Sequence, residues 1–345
     1  MNILSQQLEE CITRERTTEP FTGVVSLRHS DAIIFERAYG AAIRSEAIPN
    51  QIDTRFQIAS GCKIFTSVAI CQLIERGVLA PNTLLTDCVD VPFPQFDRQI
   101  TIHQLLTHTS GIPDYFDETV MTDYEALWQH QPMYTMRRPA DFLPLFQNQP
   151  MQSPAGATFA YNNAGSVLLG LIIEQCSATR FTDYVTEHIF RACGMHDSGY
   201  FAADQLPART ARSYIENADG TWRSNIYAVP IIGGADGGAY TTAADMARFW
   251  QALLEHTLLS SASTTRLLTP QVGTQGEAPY SHYGYGVWME TSATGMRKCF
   301  VEGSDPGVAF RSGMYPDQNV TLTLLGNTGR TLWSVYTDLE AILAL

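Results

Sequence analysis

Lysine is almost missing from this chain. Of its 22 basic residues over 345 positions, only Lys63 and Lys298 are lysines. Arginine keeps its proton near neutral pH, whereas a buried lysine can release one. A position that stays lysine here is therefore a candidate for proton chemistry. Lys298, next to Arg297, reads instead as a solvated turn residue. Basic runs are also absent, and the net charge is −13. Nucleic-acid binding needs clustered Lys and Arg against phosphate, so it is excluded, and the acidity is read as solubility. No segment approaches 18 uninterrupted apolar residues, so no membrane span is expected. The N-terminal MNILSQQLEECITRER lacks the basic start and apolar core of a secretory signal. Its Ile3, Leu4, Leu8 and Ile12 fit one face of a short helix. The seven cysteines, Cys11, Cys62, Cys71, Cys88, Cys176, Cys193 and Cys299, are odd in number and contain no CxxC pair. Neither a disulfide framework nor a zinc site follows, and reduced thiols in a cytoplasm are the expectation. HExxH, GxSxG, GxGxxG and P-loop motifs are all missing. His103 and His108, five apart, do not share a helix face. No metal and no cofactor is expected.

What is present is strand-like at both ends and helical between. Residues 21–40 read as two strands around a turn at His29-Ser30-Asp31. Helical spacing begins at Ser60 (Ile64, Val68, Cys71, Leu73, Ile74) and stops at Gly77. A short helix is expected over 101–107, ending near Gly111, and a buried one over 164–176. Further helices are expected over 180–192, 243–255 and 333–344. Residues 112–160 are proline-rich and irregular, which in a globular chain is often functional. Gly233, Gly234, Gly237 and Gly238 mark a tight turn around Asp236, to which no role is assigned. Strands are expected at 283–289, 299–301, 308–315 and 320–325. The economical architecture is an α+β catalytic unit spanning 1–345. It has an antiparallel sheet built from both termini (1–59 and 235–345) with flanking helices, plus an inserted, mostly helical lobe (60–234). The seam between the two is a natural place for a site.

Ser60-Gly61-Cys62-Lys63 is an SxxK arrangement. Residues three apart on a helix face the same way, about 5–6 Å apart at Cβ. A lysine amine can then reach the serine hydroxyl, which is a poor nucleophile until a neighbouring base takes its proton. The helix N-terminus also offers N–H groups to a developing oxyanion. The same four residues equally describe an N-cap serine with a solvated lysine behind it. Ser110, in His108-Thr109-Ser110-Gly111, is read as part of a helix-ending turn rather than as a second nucleophile.

The surroundings separate these alternatives. Residues 53–76, DTRFQIASGCKIFTSVAICQLIER, resemble the nucleophile region of the serine β-lactamase and penicillin-binding-protein-like hydrolases. That superfamily includes class C β-lactamases, D-alanyl-D-alanine carboxypeptidases, D-aminopeptidases and carboxylesterases. TIHQLLTHTSGIPDY (101–115), stretches of 154–200 and GGAYTTAADMARFWQALL (237–254) are similar to the family in the same order, over roughly residues 20–330. The resemblance implies a β-lactamase/transpeptidase-like fold, Ser60 as nucleophile and Lys63 as base. It also implies a Tyr-x-Asn motif at Tyr161-Asn162-Asn163. Tyr161 would move protons, and Asn163 would bond the lysine or a substrate amide. Relatives commonly carry Ser where this chain has Asn162.

The third motif departs from the family. Where relatives have Lys-Thr-Gly or His-x-Gly, this chain has Val301-Glu302-Gly303 and then Ser304-Asp305. Gly303 would admit substrate close to the backbone, and the N–H groups of Ser60 and Ser304 would form the oxyanion hole. With Val301 in place of the cation, and Glu302 and Asp305 alongside, substrates ending in a free carboxylate are disfavoured. Alternatively, Glu302 points outward and pairs with an arginine. The expected function is hydrolysis of an ester, amide or short peptide through an acyl-enzyme. The alternative is a catalytically silent relative that binds a ligand or partner in the same cleft.

Overall fold

The computed structural model describes residues 3–14, 20–217, 219–274, 281–292, 295–329 and 331–345. Its centre is one antiparallel sheet. The strands are β1 (Gly23–His29), β2 (Ala32–Tyr39), β3 (Val272–Gly273), β4 (His282–Tyr283), β5 (Trp288–Ser292), β6 (Gly295–Asp305), β7 (Val308–Tyr315) and β8 (Val320–Gly326). Across the sheet they run β2-β1-β8-β7-β6-β5-β4-β3. The N-terminal hairpin thus completes a sheet begun by the C-terminal strands, as expected from apolar runs at both ends.

Period-two alternation gives the sheet two different faces. Val25, Leu27, Leu322 and Leu324 pack outward under two terminal helices, α1 (Ile3–Thr13) and α6 (Thr331–Leu343). Val24, Cys299, Val301, Phe310 and Leu325 face inward against the helices from the middle of the chain. Those are α2 (Lys63–Glu75), α3 (Ile102–Leu106), α4 (Asn163–Ser177) and α5 (Ala243–Leu254). Lys63 to Leu73 of α2 are all buried, which makes it a central helix rather than an amphipathic one. α5 starts on its Thr242 cap and is pinned to the sheet by Trp250 Nε1 donating to Ser312 Oγ at 2.9 Å. Among the described residues, no helix is long and apolar enough to cross a membrane.

Four details differ from expectation. Residues 283–289 are not one strand. They turn back on themselves so that Tyr283 pairs with Trp288, with Gly286 at φ +73°. β6 starts earlier than expected, so Lys298 is a strand residue, not a solvated turn. It is 8% exposed, with its amine 2.7 Å from Glu340 and 3.3 Å from Glu290. The helix over 180–192 changes from α to π winding at Thr186. Finally, Tyr214–Glu216 and Trp222–Ser224 form a small hairpin, too short and too interrupted to show in the pattern.

Candidate active site

Ser60 sits on a tight helical turn, Ala59–Cys62, that feeds directly into α2 at Lys63. Two bonds grip that turn: the Ile58 N–H donates to the Ala239 carbonyl at 2.9 Å, and the Gly238 N–H donates to the Ala59 carbonyl at 3.2 Å. Ala59 is held at φ 44°. A left-handed alanine costs about 1 kcal/mol or more, and this one is completely buried and bonded through its carbonyl to the Gly238 N–H.

The three-residue spacing delivers the lysine. Lys63 is 3% exposed, and its Nζ lies 2.8 Å from Ser60 Oγ. Two fixed acceptors share the same amine: Asn163 Oδ1 at 2.9 Å and the Asp236 carbonyl at 2.6 Å. Each is set by the residue behind it. Asp114 accepts the Asn163 N–H at 2.8 Å, Asn163 Nδ2 at 3.3 Å and the Ala164 N–H at 2.9 Å, which turns the Asn163 oxygen toward the amine. The Asp236 carboxyl is engaged by the Tyr115 hydroxyl. Asn162 spends its side chain as the cap of α4, accepting the Gly165 N–H at 2.7 Å.

Tyr161 completes the group. Its phenol adjoins Ser60, and its ring centroid is 4.9 Å from the Lys63 amine. Burial, then the Glu118 carboxylate, push the phenol well above its ordinary range, so it stays protonated. Ser60 Oγ therefore stands between an amine and a phenol.

β6 forms the opposite wall. Its pairing with β5 ends at Phe300, and the segment beyond abuts the Ser60 turn. Gly303 lies against that turn, while Ser304 and Asp305 line the same cavity as Ser60. The cavity holds about 900 Å³. Tyr115, Phe116, Tyr124 and Phe142 supply aromatic wall, and Glu118, Asp236 and Asp305 supply carboxyls.

Six of the expected residues thus come together: Ser60, Lys63, Tyr161, Asn163, Gly303 and Ser304. Glu302 does not join them. It follows Phe300 on the outer face of the sheet and pairs with Arg311, with Nε to Oε2 at 2.9 Å. The Arg311 guanidinium itself lies over the rings of Phe300, Trp333 and Tyr336. Val301 is buried in the inner core. His103 and His108 go to different tyrosines, Tyr285 and Tyr283. Among the described residues, no group of three or more His, Cys, Asp or Glu could hold a metal ion. Asp114, Tyr115 and the Asp236 carbonyl were not assigned from the sequence. Their partners lie 49 to 173 residues away, and a carbonyl leaves no mark on residue type.

Burial raises the Asp305 carboxyl to about 7; Lys63 opposes the rise, and Asp236 and Glu118 reinforce it. The folded state then holds that proton more tightly than the unfolded chain does. The penalty for its charge is fully present above about pH 7 and vanishes below about pH 4. Asp305→Asn should therefore raise the melting temperature by about 2–4 °C at pH 8 and leave it nearly unchanged at pH 4.5. Thermal denaturation at the two pH values checks this, and equal shifts at both would assign the effect to something other than titration.

Comparison with known proteins gives the family. The family model described as Beta-lactamase matches residues 10–345. The crystal structure of a penicillin binding protein from Bacillus halodurans is 46% identical, with a TM-score of 0.90 over 98% of each chain. Penicillin-binding protein 4* of Bacillus subtilis is 28% identical over 325 residues, covering 89% of this chain and 68% of that protein. Esterase EstB of Burkholderia gladioli is 29% identical over 206 residues, covering 58% of this chain and 51% of that protein.

Proposed function

The chain belongs to the Beta-lactamase family, and from that footing we propose that it is a serine hydrolase acting through an acyl-enzyme on a neutral or amine-bearing ester, amide or short peptide. The observation that carries this reading is the partner set of the Lys63 amine. A neutral amine has two N–H groups and one lone pair. The Asn163 oxygen and the Asp236 carbonyl can accept only, so they take the two N–H groups. An ammonium would donate to Ser60 Oγ as well, 2.8 Å away; the neutral amine that the mechanism requires would keep the other two bonds and turn its lone pair to the hydroxyl proton of Ser60.

The reaction follows from that. Ser60 Oγ bonds to the substrate carbonyl carbon while its proton passes to Lys63. The N–H groups of Ser60 and Ser304 hold the oxyanion. Tyr161 gives its proton to the leaving oxygen or nitrogen as the scissile bond breaks, and recovers one from Lys63. Water, deprotonated by the same pair, then attacks the acyl carbon, and Ser60 leaves with a proton.

Charge narrows the substrate. Val301 offers no cation to a carboxylate, and Glu118, Asp236 and Asp305 line the cavity. Glu302 takes no part, since Arg311 holds it. Two measurements test the reading. Intact mass after a fluorophosphonate should show an adduct that Ser60→Ala lacks; no adduct would favour a silent binder. For a pair of activated esters that differ by one free carboxylate, the neutral ester should have about a 10–100-fold higher kcat/KM. Equal values would remove the charge preference.

A further inference from the structure

His108 sits behind Tyr161 and holds the chain on both sides of it. Its carbonyl accepts the Ala160 N–H at 2.9 Å. Its Nδ1 accepts the Asn162 N–H at 3.2 Å. The imidazole ring centroid is 4.6 Å from that of Tyr161. With Nδ1 accepting, the ring proton is on Nε2, which donates to the Tyr283 hydroxyl at 3.2 Å. Tyr283 in turn packs edge-on against Trp288 at 4.8 Å, and Trp288 stacks on Tyr161 at 5.7 Å and 16°. Tyr161 is thus enclosed by rings and anchored through both neighbouring amides, and His108 contributes to each. The residue is buried and adopts φ 54°, a conformation that His, Asn and Asp tolerate better than most residues.

We infer that His108 is a positioning residue for the proposed hydrolysis, fixing the Tyr161 phenol against Ser60 Oγ. Its side-chain hydrogen bonds among the described residues go to Asn162 and Tyr283, so it acts through Tyr161. The inference rests on the serine-hydrolase reading. Burial, with the nearby Lys63 charge, lowers the imidazole to about 3. It therefore stays neutral across the working pH range, which keeps Nδ1 an acceptor.

A double-mutant cycle on p-nitrophenyl butyrate tests it. His108→Ala should lower kcat about 30-fold with KM within about threefold. His108→Asn keeps an acceptor oxygen and tolerates the backbone angle, so it should recover about tenfold of that loss. In a Tyr161→Phe background the same His108→Ala change should cost less than about threefold, because the group being positioned has gone. A full 30-fold loss in both backgrounds, or no loss in either, overturns the role. If His108→Ala does not fold, His108→Asn and Tyr283→Phe carry the cycle: each should lower kcat, and neither should do so beside Tyr161→Phe. Absence of Ser60-dependent turnover in the wild type would overturn the reaction, and the positioning role with it. Undiminished turnover in the His108 variants overturns the positioning role alone.

Discussion

Lys63→Arg should lower kcat for an activated ester by about 10³–10⁵-fold while the protein stays folded. The substitution keeps a positive charge in the pocket and keeps donors for the Asn163 oxygen and the Asp236 carbonyl. What it removes is a group able to take the Ser60 proton, since guanidinium does not ionise in this range. Lys63→Met separates the two contributions. It has a stem of similar length and no amine, so it also leaves two buried acceptors unpaired, at about 1–3 kcal/mol each. The methionine variant should thus be both inactive and less stable; the arginine variant should be inactive first. Steady-state kinetics with a thermal melt on each protein distinguishes them. Near-normal hydrolysis by folded Lys63→Arg would falsify the base assignment and shift the proton work to Tyr161, whose phenol also adjoins Ser60.

The sequence was legible where the chemistry is local. Ser60 and Lys63 are three residues apart, and one turn of helix brings them together. The sheet was legible because its strands alternate and because apolar runs at both ends must bury against each other. Long-range contacts were not. Asp114 meets Asn163, and His108 meets Asn162, across about fifty residues. Nothing in the spacing of those residues distinguishes them from ordinary loop polar groups. Tyr283–Met289 read as a strand because its apolar residues outweigh the glycines at 284 and 286, and those are the residues that let it fold back. Glu302 is different, because its placement could have been derived. Once Gly303 is set against the Ser60 turn, strand alternation sends its neighbour to the other face. With Gly303 set in the cleft, a side-chain role there for Glu302 did not fit a regular strand, whereas Ser304, of the same parity, is called on for its backbone N–H. Asp305, two residues beyond Gly303, has the parity that Glu302 lacks and lines the cavity.

The same alternation makes Gly303 a sensitive position outside the proton-handling group. A Cβ built there would lie 2.2 Å from the Ile58 carbonyl oxygen, 2.7 Å from the Ser60 nitrogen and 2.8 Å from the Gly61 nitrogen. All three are backbone atoms, so no side chain can swing aside. Either β6 or the Ser60 turn has to move. β6 is held by its pairing with β7, where Gly303 opposes Phe310. The turn is held just as closely, since a Cβ on Gly61 would meet the Phe310 ring at 2.4 Å. Gly303→Ala should therefore displace the Ser60 N–H relative to the Ser304 N–H. Oxyanion donors work within a few tenths of an ångström, and losing one costs about 10²–10³-fold in kcat. The stability cost of overpacking is smaller, about 1–3 kcal/mol, so the variant should fold and bind substrate with KM little changed. Gly326→Ala on β8 is the matched control. Its Cβ would meet nothing closer than 3.4 Å, and it should retain activity. A Gly303→Ala enzyme with kcat within about threefold of wild type would mean that Ser60 and Ser304 do not act as a paired oxyanion hole, because the steric conflict falls on the backbone that would hold the two donors in place.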